Sequence, residues 1–378
     1  MKKEEKSWQK WLPWVVVIVM AAWVIGGIKE RGPKTPFHVE EFAKLPVLLG
    51  GRIQPMDSVA RNTLLVLRGK GSVIATEKPQ EELGFMELSK APKMSAAEWM
   101  LEAMTRPQEA DKRYIFRIDN GEALSLLKLS ADRKYFSFNE LKSGWEEVEK
   151  QADRIKDIKD EVRTPFEKQI MKLQYGLNLY FRIKNSLRPQ NTPSFAEELQ
   201  SFQASLAPAA AALKLRQAGQ EHNEQDLQMV IQYMDRYKML GRIAYPSIIP
   251  PSDPKANPDG WLNIGAALLD ARIDPSVWSY VKIGDAYAQN KPEEFNSALT
   301  EYRTWLTSNL QKQVRKGAEE TFFNHYAPFV KSISIYLLAF LFGCAFWFNW
   351  APWTRRTAFY LIALALVIHT SGLIFRMY

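Results

Sequence analysis

Cysteine is nearly missing from the 378 residues. The only one, Cys344, excludes an internal disulfide framework, a four-cysteine zinc site and a CxxC redox pair. Histidine is scarce too. His38, His222, His325 and His369 never form HxxxH or HExxH, so no local signature of a metallohydrolase is present. No nucleophile stands at workable spacing from a base, which argues against a hydrolase of soluble substrates. Long disordered tracts are excluded by a 46% hydrophobic content over a length ample for more than one small domain.

A strongly basic surface is also lacking, although the net charge is +8. Residues 1–28 contribute +2 through Lys2, Lys3, Lys6 and Lys10 against Glu4 and Glu5. Residues 329–378 contribute +4 through Lys331, Arg355, Arg356 and Arg376, leaving only +2 for residues 29–328. The excess flanks the apolar runs, so the expectation is contact with membrane lipid and none with nucleic acid.

Three apolar runs stand at the two ends of the chain. The first, 11–28, carries no charge and approaches the roughly 20 residues that a hydrocarbon core demands. A cleaved signal peptide competes with an uncleaved anchor; the absence of a small-x-small site before Lys29 favours the anchor. The runs 329–350 and 357–375 form a hairpin whose link, 351–356, carries Arg355 and Arg356, with Trp347, Trp350 and Trp353 placed for an interfacial belt. Cationic loops stay cytoplasmic, which puts the N-terminus inside and residues 29–328 outside. The expected architecture is therefore mainly α, with three transmembrane helices and a large, mostly helical extracytoplasmic domain. Its parts are 1–28, 29–250, 251–328 and 329–378.

Between the spans, Ser95-x-x-Glu98 ahead of an apolar run is a capping box. Apolar residues at three- and four-residue steps predict a helix over 162–183. Further helices are expected at 193–217, 223–243, 276–289 and 293–323. A strand is expected at 114–118, with 135–138 as its companion. The charged stretch 146–159 has the pattern of a solvated helix face. Five prolines within 245–259 predict a surface loop or a linker dividing the segment near residue 250.

Two constellations could carry chemistry. In 45–61, Gly50-Gly51 permits a tight turn, Pro55 keeps its predecessor out of helix, and Asp57 or Ser58 can cap the following helix. Arg52 and Arg61 would then flank a helix N-terminus suited to an anion, or else pair with local acids. His369 lies within an apolar span and must face protein, water or a ligand. Helical steps place His369, Gly372 and Arg376 on one side. Such a histidine can ligate haem iron while the arginine meets a propionate; equally, it can hydrogen-bond across helices while the arginine snorkels. His325 and His38 lie near the expected outer surface, and Cys344 has the setting of a small buried hydrophobe.

The motifs Gly51-Arg-Ile-Gln-Pro55-Met-Asp57-Ser-Val-Ala-Arg61, Glu320-Thr-Phe-Phe-Asn324 with Pro328-Phe329, and His369-Thr-Ser-Gly-Leu-Ile-Phe-Arg376 together resemble the cytochrome c biogenesis proteins of the CcsA/CcsB (ResC/ResB, System II) haem-handling type. They bracket nearly the whole chain. The resemblance implies a bacterial inner-membrane component that transports b-type haem outward and presents it for attachment to apocytochrome c. It implies His369 as the iron ligand, with Arg376 beside it. That family's tryptophan-rich WGxxWxWD-like segment does not occur in these residues. The implied partner is thus the remaining CcsA-type core or a ResB-like membrane subunit, and the chain is expected to belong to a haem lyase system without being catalytic alone.

Overall fold

The computed structural model describes residues 7–27, 35–76, 78–189, 191–254, 256–270 and 273–377. Helix accounts for 69% of it. Two compact units result: Thr35–Gly317, and Met1–Lys34 with Ala318–Tyr378 so far as these are described. Helix α1 (Leu12–Gly26) opens with a proline in its first turn, where a missing N–H costs nothing, and belongs to the second unit.

The first unit begins with α2 (Val39–Ala43), the hairpin β1 (Pro46–Leu49) and β2 (Arg52–Pro55), then α3 (Met56–Arg68). Strand β3 (Ser72–Ile74), α4 (Phe85–Lys90) and β4 (Lys93–Ser95) lead into α5 (Ala96–Thr105) and α6 (Pro107–Ala110). Strand β3 pairs antiparallel with β4. The capping box at the start of α5 forms: Glu98 N donates to Ser95 Oγ at 3.2 Å, and Ser95 N to Glu98 Oε2 at 3.3 Å. Every α5 residue but Glu98 is buried, as befits a central helix that α3, α10 and α14 cover.

Strand β5 (Phe116–Arg117), α7 (Gly121–Leu126) and β6 (Tyr135–Phe136) follow, with β5 and β6 pairing antiparallel. The expected companion strands are therefore real, but only two residues of each enter the ladder. Next come α8 (Phe138–Leu141), α9 (Trp145–Ile155) and α10 (Pro165–Lys184). Charged α9 does present a solvated face, burying only Val148, Ala152 and Ile155. Its Glu149 ties it to α10, accepting from Trp145 Nε1 (3.0 Å), Asn178 Nδ2 (2.8 Å) and Gln174 Nε2 (3.3 Å). Partial burial pushes this carboxyl up, but the three donors together outweigh it and hold its pKa below the ordinary 4.5.

A depressed carboxylate stabilises the fold above its unfolded pKa and loses that contribution as pH falls toward the folded value. Glu149→Gln is thus expected to lower the melting temperature at pH 6 and to approach the wild type at pH 3.5, as read by thermal melts. A gap that stays constant with pH would contradict the assignment.

The unit continues with α11 (Phe195–Gln217), α12 (Glu224–Ile243), α13 (Ile264–Ala267), α14 (Pro275–Ala288), α15 (Pro292–Asn309) and the start of α16 (Gln311–Tyr326), whose residues from Ala318 onward belong to the second unit. One long helix was expected over 293–323; two form instead. Leu310 leaves helical geometry at φ −137° and ψ 38° and is almost fully buried at 2% exposure, so packing of a single leucine breaks a locally continuous pattern. The proline-rich stretch also differs from expectation. Only its later part is an exposed loop; Ile248 and Ile249 are in the core. Ser247 exchanges two backbone hydrogen bonds with Leu48 of β1 (2.9 and 3.2 Å), and Ile249 two with Leu262, both 2.8 Å. The segment straps the unit together, and 35–317 shows no boundary at residue 250.

The second unit holds α17 (Pro328–Trp347) and α18 (Trp353–Met377) with α1. Two stretches, Gln311–Trp347 and Trp353–Met377, are long and apolar enough to cross a membrane. The first contains α16 and α17 and bends at Ala327, which adopts left-handed geometry (φ 45°, ψ 53°) ahead of Pro328. At 15 residues, α1 spans about 22 Å, short of a hydrocarbon core of about 30 Å. Val24, Ile335, Ala339, Leu361, Ala365 and Ile368 form the inner seam of the three helices. Large apolar side chains cover the outside, among them Ile18, Ile333, Phe340, Phe359 and Val367.

Candidate functional site

The first constellation folds as a hairpin running into a helix. β1 and β2 pair from Leu49↔Arg52 to Pro46↔Pro55, leaving Gly50 (φ +59°) and Gly51 (φ +74°) as the two turn residues. Two consecutive positive φ angles define a type I′ turn, which glycine adopts without a Cβ clash. Pro55 ends β2 in extended geometry (ψ 154°) and no side chain caps α3. Asp57, expected as a cap, lies one residue inside the helix, 3% exposed, with its carboxylate in the first turn where the helix dipole favours it. Arg61 Nε donates to Asp57 Oδ2 at 2.7 Å. Arg61 therefore follows the local-acid alternative rather than reaching for an external anion. Arg52 stands exposed on the hairpin.

The second constellation sits in the other unit. The His369 ring, half-buried on α18, meets Phe329 edge-on (centroids 5.5 Å, 81°) and lies 6.3 Å from Tyr336. No described residue hydrogen-bonds to either ring nitrogen. Gly372, one turn along, is where α18 closes on α17: a Cβ there would stand 2.9 Å from Pro328 Cγ and 3.2 Å from Phe329 Cε1. Pro328 is buried in this contact. Arg376 is exposed near the end of α18, two turns beyond His369 on the same face, about 10 Å along the axis. Asn324 lies half-buried on α16, a turn before Pro328.

Neighbouring polar groups are tied down. Tyr326 Oη and Ser371 Oγ are 3.1 Å apart, and Ser371 donates to Ile368 O at 2.7 Å. Lys331 Nζ donates to Val24 O at 3.2 Å, at the end of α1, and lies 5.0 Å over the Tyr326 ring. A lysine at a helix C-terminus complements its dipole, and Gly27 leaves it room: a Cβ there would lie 2.8 Å from Nζ. No sequence signal pointed to this contact.

Among the described residues there is no group of three or more His, Cys, Asp or Glu that could hold a metal ion. A bond to haem iron would need only one imidazole nitrogen, and His369 offers that chemistry with two aromatic rings close to it. His325 directs Nδ1 to Thr321 O at 3.0 Å, and His222 bonds locally to Gln220 and Glu224. His38 is exposed at the start of α2, and Cys344 is half-buried. No protein-family model and no curated protein matches the chain.

Proposed function

We propose that the chain is a membrane component of cytochrome c maturation which holds b-type haem at its third span and presents it to apocytochrome c. The observation that carries this reading is an imidazole within an apolar helix whose nitrogens no described neighbour uses. In this reading the apolar run 11–28 that contains α1 crosses the inner membrane of a bacterium together with α17 and α18, the N-terminus is cytoplasmic and residues 29–328 are extracytoplasmic. The apolar outer surface of the three helices and the lysine-rich and Arg355-Arg356 flanks support that arrangement.

His369 would hold the iron through one nitrogen, with Phe329 and Tyr336 packed against its ring, and Arg376 would offer its guanidinium to a propionate. Bound haem supplies the vinyl groups to which cytochrome cysteines are joined. Gly51, Arg52 and Pro55 set the hairpin near the start of the exported unit, Asp57 and Arg61 pair on the helix that follows it, and Asn324 and Pro328 flank the bend into the membrane. A CcsA-type core or ResB-like subunit completes the machinery.

Full-length protein in neutral detergent with added haem is expected to show the absorption spectrum of histidine-ligated haem. His369→Gly is expected to lose that spectrum and to regain it with free imidazole. A spectrum unchanged by the substitution, or none in the wild type, overturns the reading.

One observation favours a second reading, a tethered scaffold without haem. The α11–α12 hairpin exposes Leu206, Leu213, Met229, Ile231 and Met239, an apolar surface suited to a protein partner. Partner capture that depends on this hairpin, without any haem spectrum, would select it.

A further inference from the structure

The extramembrane unit contains a cavity of about 750 Å³ where the α5–α6 corner, the end of α10 and the end of α14 converge. That size suits a small organic ligand. Phe138, Trp145 and Phe181 line one part of it, with Trp145 edge-on to Phe138 (5.7 Å, 85°) and to Phe181 (5.6 Å, 76°). Arg106, Lys184 and Arg188 line it too.

These three cations are not equivalent. Lys184 Nζ is neutralised by Asp111, at 3.2 and 3.1 Å from its two oxygens, and Asp111 also accepts from Tyr180 Oη at 2.8 Å. The two arginines have only neutral hydrogen-bond partners. Arg188 Nη2 donates to Thr105 O, and Arg106 Nη2 to Tyr287 O and Asn290 Oδ1. Arg106 Nε is buried with no hydrogen-bond acceptor, and neither guanidinium forms an ion pair among the described residues. Burial disfavours the charge on Arg188 and lowers its pKa, outweighing the opposing pull of the Asp285 carboxylate. Glu109 and Asp111 line the cavity as well, but neither is ion-paired to Arg106 or Arg188, so two half-buried guanidinium groups beside an aromatic wall are left with donors turned to neutral acceptors only, a surface suited to an anion.

We propose that this cavity binds a small organic carboxylate with a flat apolar body, the carboxylate meeting Arg106 and Arg188 and the body lying against Phe138, Trp145 and Phe181. The aromatic wall supplies apolar contact and ring-edge packing, and the guanidinium forks select the planar carboxylate. The site lies wholly within the 35–317 unit and is independent of the haem reading, so either can fail alone.

The test is calorimetric titration of the full-length protein in neutral detergent with 2-naphthoate, 2-naphthamide and inorganic phosphate. The acid is expected to bind, and the isosteric amide to bind at least tenfold more weakly. Phosphate alone, which cannot use the wall, is expected to bind more weakly than the acid. Arg106→Gln and Arg188→Gln are each expected to weaken the acid about tenfold. Gln108→Glu, on the exposed rim, disturbs no packing and is expected to weaken it a few-fold by repulsion. Equal binding of acid and amide, tighter binding of phosphate, or naphthoate affinity unaffected by all three substitutions would overturn the proposal.

Discussion

Gly265→Ala is expected to destabilise the chain by about 3 kcal/mol, the upper end of the usual overpacking cost, in urea unfolding of the detergent-solubilised protein. Gly265 lies in α13 where its backbone meets that of α12. A Cβ there would stand 2.1 Å from Gly241 N, 2.5 Å from Leu240 C and 2.6 Å from Gly241 Cα. All three are backbone atoms within a helix, so no side chain can swing aside. The two helices would have to separate by more than an ångström.

Separation would also break Asn263 Nδ2 donating to Gly241 O at 2.8 Å, and would open the packing of Ile264 and Leu268, both essentially unexposed. Gly241→Ala is the contrasting control. Its Cβ would meet Ala266 N at 3.1 Å, a few tenths of an ångström too close, while alanine gains about 0.5–1 kcal/mol of helix preference in α12. Its net effect is expected to stay within about 1 kcal/mol of wild type. Equal costs at the two glycines would show that the backbones do not touch as described.

How far such features can be read from the chain alone depends on their reach along it. The start of α5 was legible because Ser95 and Glu98 stand three residues apart and do all the capping themselves. Helix α10 was legible to within a few residues because it carries its own periodic apolar face, and α11, α12 and α14 because local start and stop signals bound them. The turn at Gly50-Gly51 was visible for the same local reason.

What escaped depends on partners far off in sequence. Gly241 and Gly265 touch although the strap separates them in sequence, and nothing near either marks the contact. The strap itself looked like a linker because its five prolines forbid helix, yet prolines do not forbid an extended chain, and Ser247 and Ile249 pair as isolated bridges. Leu310 breaks a helix with neither glycine nor proline, because its side chain is taken by the core. Of the two constellations, the order of residues in 45–61 set the hairpin, but the pairing of Arg61 with Asp57 needed the helix phase of α3. For His369, the helical face was legible and its ring neighbours Phe329 and Tyr336 were not, since they come from α17. The cavity between α5, α10 and α14 draws on residues from 105 to 289 and had no local signal at all.

Glu102→Ala is expected to cost about 3–5 kcal/mol, the range found when one partner of a buried pair is removed. Glu102 sits on central helix α5 with its side chain 7% exposed, and grips Arg113 in a two-pronged contact: Nε to Oε1 and Nη2 to Oε2, both 2.8 Å. That hydrogen bonding raises the Arg113 pKa against the opposing effect of burial, so the cation is firmly held. Without the carboxylate, a guanidinium with only 20% side-chain exposure loses its paired charge and both acceptors, and keeps only the more distant charge of Glu109. Because Arg113 keeps some contact with water, the lower half of the range is the closer expectation. At about 2–4 °C per kcal/mol, the melting temperature should fall by roughly 6 °C or more. The control replaces both partners: Glu102→Met with Arg113→Met removes the charges together, and unpaired charge is the main source of the cost. That double variant is therefore expected to melt above Glu102→Ala, within a few degrees of wild type. If it melts as low as the single variant, the side chains matter for their packing rather than for the ion pair. A single variant within about 1 kcal/mol of wild type would mean that water screens the contact as it does an ordinary surface bridge.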